Sequence, residues 1–180
     1  MTEAVDERSL VVLACAGDVA AFESLVRRRM NAIYRLDLAI LGDEADAADA
    51  AQETFISAWR ALAGLRDVDS FEAWLHRVSI NACRMLQRAR GRRLVREMPM
   101  AELTAAAEVP AREPADVDIL RAALKKLSLD HRTVLALHHL EGRPVKEIAE
   151  ALGIPEGTAK SRLFKARAAL DRAIGEEAQR

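Results

Sequence analysis

Seven arginines and no acid lie between residues 77 and 96 (Arg77, Arg84, Arg88, Arg90, Arg92, Arg93 and Arg96). Guanidinium groups at this density neutralise phosphates, and each presents a rigid fork of donors to an anionic oxygen or a base edge. Upstream, residues 36–54 hold six acids and no base (Asp37, Asp43, Glu44, Asp46, Asp49 and Glu53). Asp49, Gln52 and Glu53 are three and four residues apart, so on a helix they share one face. Residues 97–118 turn acidic again with Arg112 as the only base, and residues 143–172 carry seven bases against four acids. The net charge of −1 conceals this segregation. Blocks of opposite sign assign different partners to different segments.

The second group with chemistry in it is C-terminal. Val145–Leu152 is followed by Gly153-Ile154-Pro155, and then by Glu156–Arg167. Gly153 lets a short helix end in a left-handed residue, Ile154 plugs the corner, and Pro155 prepares the next helix start. Ile148, Ala149 and Leu152 face Leu163, Ala166 and Leu170, with Ala149 small where two helices cross. Together these features make a helix-turn-helix, whose second helix enters the major groove N-terminus first. Glu156, Thr158, Lys160, Ser161, Arg162 and Lys165 stay outside its apolar stripe. Arg and Lys suit phosphates or guanine, Glu accepts from cytosine, and Thr and Ser serve either purpose.

Positioning these groups requires helices nearly throughout. Gly and Pro are scarce (8 and 5 of 180 residues) and aromatics make up 4%, a composition that favours helix over sheet. The apolar period gives a first helix over Glu7–Ala16, stopped by Gly17. Asp18 caps a second, with Phe22, Leu25, Val26, Ile33, Leu36 and Ile40 inward until Gly42. Asp43 opens a third, which turns Phe55, Ala58, Trp59 and Leu62 to one side until Gly64. Asp69 with Glu72 forms a capping box for a fourth, expected to bury Phe71, Trp74, Leu75, Val78, Ala82 and Met85. From Gly91 the period fades through Pro99, Pro110 and Pro114, which reads as a linker. Four further helices follow, over residues 115–126, 128–141, 145–152 and 156–174. The expectation is an all-α chain of two small helical domains, 1–92 and 115–180, joined by a flexible linker at 93–114.

Several function classes are excluded. No apolar run is long enough to span a bilayer and no secretory signal precedes the first helix, so a cytoplasmic protein is expected, with no membrane insertion. Cys15 and Cys83 lack CxxC spacing, which fits a reducing compartment. Arginines around Cys83 would lower its thiol pKa, which raises a redox role for it. His131, His138 and His139 are not completed by Cys or carboxylate at metal-ligand spacing, so no metal is expected. No phosphate loop, HExxH or nucleophile elbow appears. Neither a cofactor nor enzymatic activity of its own is expected.

The helix-turn-helix also resembles the DNA-binding domain of LuxR-type regulators, but the N-terminal half has none of the alternating strands and helices of a receiver domain. Instead, Asp46-Ala-Ala-Asp49-Ala-Ala-Gln52-Glu53-Thr54-Phe55-Ile-Ser-Ala-Trp59-Arg60 resembles the core-binding segment of sigma factors. Phe71-x-x-Trp74-Leu75 and Asn81, leading into the arginines, match the family's next segment. Glu147-Ile-Ala and Gly157-Thr158-x-Lys160-Ser161-Arg162-Leu163 match further downstream. Over residues 8–175 the chain resembles an extracytoplasmic-function (ECF) sigma factor, the compact type with only the second and fourth sigma domains.

The resemblance implies a promoter-specificity factor for RNA polymerase. Asp49, Gln52 and Glu53 would meet the β′ clamp helices of the polymerase core, whose β flap is the other contact implied. The loop 65–70 with Arg66, then Asn81, Arg84, Arg88 and Arg90, would hold the opened −10 strand. The helix-turn-helix residues would read the −35 element of promoter DNA. Many relatives are held inactive by an anti-sigma factor, the further partner implied. The chain departs from the family pattern at three sites: Met85 stands where Asp is common, the pair Arg143-Pro144 replaces a Ser or Thr cap, and Ala159 replaces Val.

Overall fold

The computed structural model describes residues 6–96 and 115–179, and every regular element among them is helical. The N-terminal domain contains α1 (Glu7–Cys15), α2 (Val19–Leu41), α3 (Glu44–Ala61) and α4 (Phe71–Arg96). The C-terminal domain contains α5 (Ala115–Lys126), α6 (Leu129–Leu135), α7 (Val145–Leu152) and α8 (Glu156–Glu177). Most of the expected linker, residues 97–114, lies outside the described residues, and residues 93–96 form the last turn of α4. None of the described helices is long and apolar enough to cross a membrane.

The helix starts follow the capping chemistry of the sequence. The Asp18 carboxylate accepts from the Ala21 N–H and that of Asp43 from the Asp46 N–H, each at 2.9 Å. Each satisfies a donor with no partner inside the first helical turn. Gly42 ends α2 at φ +72°, a left-handed conformation that costs glycine little. The expected capping box does not hold. Asp69 is drawn 2.9 Å from Arg8, and Glu72 binds Arg29. A 3-10 turn over Val68–Ser70 precedes α4, and its cap is Asp67.

Two apolar clusters organise the chain. One lies within the N-terminal domain, where Leu10, Val11, Leu25, Ile33, Phe55, Leu62, Phe71 and Leu75 pack together. The other crosses between domains, joining Leu36, Ile40, Ile80 and Cys83 to Val134, Leu137, Ile148 and Leu163. Helix α4 therefore buries more than one face: Phe71, Leu75 and Ala82 as expected, and also His76, Ser79, Ile80 and Cys83. Met85, expected in the core, is 63% exposed. Trp59 is also partly exposed, its ring 4.9 Å from that of Phe22.

The seam between domains carries polar contacts as well. Arg132 of α6 donates to the Leu41 carbonyl at 3.2 Å, placing a cation at the negative end of the α2 dipole. Arg77 donates to the Glu150 carbonyl at 2.9 Å. Pro144 takes the cap position of α7 without a side-chain bond, and Arg143 before it lies 2.6 Å from Glu72 and 3.0 Å from Glu147. Its side chain ties α7 to α4.

Candidate nucleic-acid interface

Helix α8 is presented by the turn that precedes it. Gly153 has φ +64°, and the Ile154 N–H bonds back to the Ala149 carbonyl at 3.0 Å. The Pro155 carbonyl accepts from the Thr158 and Ala159 N–H groups, which starts α8 at once. Ile148, Ala149, Leu152, Ala159, Leu163 and Ala166 are buried together, and Ile154 packs against them. With α8 clamped along that stripe, Glu156, Thr158, Lys160, Ser161 and Lys165 remain exposed.

Arg162 differs from its neighbours. It sits nearer the packed side, and its guanidinium lies 3.1 Å from Asp130. Phe164 belongs to the exposed face although attention to polar residues alone passes over it. It is 75% exposed and sits three residues after Ser161 and four after Lys160. The signal was an aromatic out of register with the stripe 159, 163, 166, 170. A ring there offers apolar contact to a thymine methyl.

The α4 arginines fall into two sets. Arg84 reaches Asp130 at 3.4 Å, and Arg90 pairs with Asp46 of α3. Arg66, on the loop between α3 and α4, and Arg88 are exposed, as is Asn81. No ion pair joins Arg66 or Arg88 among the described residues.

Beside these arginines, α3 and α4 enclose a groove of about 620 Å³. Its α3 wall carries Asp49, Gln52, Glu53 and Ile56, and its α4 wall carries Met85, Leu86, Arg88 and Arg92. The three residues singled out on α3 are brought together, opposite an apolar floor and two cations. Met85 escapes the core because its register faces this groove.

Cys83 is not activated. It is buried, and burial together with the Asp37 carboxylate pushes its thiol far above the ordinary value. The lowering by a nearby arginine, Arg132 of α6, is outweighed by burial and by Asp37. No cluster of three potential metal ligands exists among the described residues.

Two family models match this chain, Sigma-70 region 2 over residues 22–93 and Sigma-70 region 4 over residues 118–170. The RNA polymerase sigma-H factor of Pseudomonas aeruginosa is 34% identical over 93% of this chain and 93% of its own length. The ECF RNA polymerase sigma factor SigM of Mycobacterium tuberculosis is 32% identical, over 94% of this chain and 85% of its own. The chain belongs to the ECF family of RNA polymerase sigma factors.

Among solved structures, CnrH in complex with the cytosolic domain of CnrY is similar at a TM-score of 0.69 and 29% identity, covering 94% of this chain and 97% of that one. RpoE in complex with the anti-sigma factor NepR from Bartonella quintana shares the fold, at a TM-score of 0.71 and 24% identity over 87% of this chain and 98% of that one. In this sigma factor the region 2 match takes in the α3–α4 groove and the first arginines, and the region 4 match takes in the helix-turn-helix. It is a transcription initiation factor.

Proposed function

We propose that this sigma factor recruits core RNA polymerase through the α3–α4 groove, holds the opened −10 strand on α4 and reads the −35 element with α8. One juxtaposition carries the reading. Along α4, a groove whose acid wall is α3, suited to a basic protein helix, passes directly into an arginine face suited to a polyanion. Asp49, Gln52 and Glu53 contact the β′ clamp helices, where complementary charge guides docking. Extruding a base costs a few kcal/mol, so the opened strand needs cationic support from Arg66, Arg84, Arg88 and Arg90, with Asn81 at a base edge or the backbone. Glu156, Thr158, Lys160, Ser161, Arg162 and Lys165 meet the −35 duplex, with Phe164 added to that face.

The C-terminal domain also meets the β flap, and an anti-sigma factor competes for these surfaces. Residues 1–92 and 115–180 are the functional domains and 93–114 the connection between them. The chain works in the cytoplasm, and phosphodiester chemistry belongs to the polymerase alone. Run-off transcription on promoters of its own genome, with core polymerase in the presence and absence of this protein, tests the reading. Specific transcripts that depend on the protein are expected; their absence on every such promoter refutes it.

A further inference from the structure

The two surfaces assigned to promoter DNA meet at one carboxylate. Asp130, in the first turn of α6, lies 3.4 Å from an Nη of Arg84 on α4 and 3.1 Å from an Nη of Arg162 on α8. These are the α4 and α8 cations whose proposed partners are phosphates of the −10 strand and the −35 duplex. Carboxylate and phosphate oxygens satisfy a guanidinium in the same way. Asp130 thus occupies the donors of both helices at once.

The seam around it keeps the halves closed. Arg132 caps α2 from the other domain, Arg77 binds the Glu150 carbonyl, and Ile80 shares a core with Leu137 and Ile148. This arrangement does not span a promoter. By their numbering, the −10 and −35 elements are roughly 25 base pairs apart, on the order of 80 Å along a duplex. A folded chain of this length is roughly 40 Å across. Both elements are engaged together only after the halves separate.

We propose that Asp130 is an internal competitor for promoter phosphates, a latch that holds Arg84 and Arg162 together in the free protein and is released when the domains part. The inference rests on the reading of Arg84 and Arg162 as DNA contacts. Asp130 itself sits on neither reading face, so its removal unmasks cations without taking away a contact.

The test uses the full chain without polymerase and a fluorescent, non-specific duplex of roughly 30 base pairs, followed by anisotropy across a salt series. Asp130→Asn is expected to tighten binding about 3- to 10-fold and to steepen the salt slope. Asp118→Asn, which removes an equal charge from an exposed position on α5, is expected to change affinity less than about 2-fold. Equal shifts in the two variants overturn the latch. If Asp130→Asn does not fold, X-ray scattering on the wild-type chain replaces it. A radius of gyration that grows between about 50 and 500 mM NaCl, as the ion pairs are screened, supports the latch, and an unchanged radius overturns it. The run-off assay separates the two levels. Wild-type activity with equal variant shifts rejects only the latch, whereas no promoter-dependent transcript rejects the DNA reading and the latch with it.

Discussion

The Ser79 hydroxyl donates to the Asp37 carboxylate at 2.5 Å across the α2–α4 contact, inside a core from which both side chains are sealed. The Cys83 thiol donates to the same oxygen at 3.1 Å, while the second oxygen of Asp37 has no partner among the described residues. Burial pushes the Asp37 carboxyl up to about 6, and the bonds from Ser79 and Cys83 pull it back only in part. The folded state therefore binds this proton more tightly than the unfolded chain. The stabilisation is complete below the unfolded carboxylate pKa and is lost as pH rises through about 6. Asp37→Asn is expected to raise stability at about pH 7.5 by roughly 1–2 kcal/mol and to flatten its dependence between about pH 5 and 7. Urea unfolding of both proteins at the two pH values checks this; parallel profiles would reject it.

His76 acts in the opposite direction. Burial, with Arg143 nearby, holds its imidazole down at about 4, so it is neutral at physiological pH. Its 3.6 Å approach to Glu141 is then no ion pair, despite the short distance. Here the unfolded state binds the proton better, so stability is complete above the unfolded histidine pKa and is lost as pH falls through about 4. His76→Gln is expected to remove an acid-side loss of about 1–3 kcal/mol between about pH 6.5 and 4. Thermal melts across that window, compared with wild type, read it out, and an undiminished acid-side loss in the variant counts against it.

Phe164 is exposed, so trimming it leaves no cavity. Phe164→Ala is expected to keep the melting temperature within the scatter of surface substitutions, about 0.5 kcal/mol. Affinity for a duplex carrying its −35 element should fall by about 1–2 kcal/mol. Titration with duplexes in which single thymines are replaced by uracil locates the methyl that it touches. Unchanged affinity for every duplex removes Phe164 from the reading face.

Glu53 accepts from the Ser57 hydroxyl at 2.8 Å and faces the groove, with no partner from another helix among the described residues. Glu53→Lys is expected to abolish retention on immobilised core polymerase while its circular dichroism spectrum and melting point stay near those of wild type. Retention at wild-type level would remove the acidic wall from the docking surface.

The eight described α-helices were legible in the residues, but the π-helical turn Ala136–Leu140, which replaces the end of the helix expected over 128–141, was not. The Asp18 and Asp43 caps were legible, and so was the Gly153 turn, because each depends on neighbours within a few positions. The acidic α3 face and the exposed polar α8 face were legible for the same reason: helical spacing alone puts their members together. Partners chosen across the fold were not. Asp69 took Arg8 instead of a capping role, and Met85 turned to a groove because α4 is packed on more than one side, so one period cannot mark its core. The burial of Asp37 against Ser79 and the convergence of Arg84 and Arg162 on Asp130 join residues that are distant in sequence. Local periodicity carries no information about such pairs. The register in which the two domains close decides which charges are spent on each other and which remain exposed.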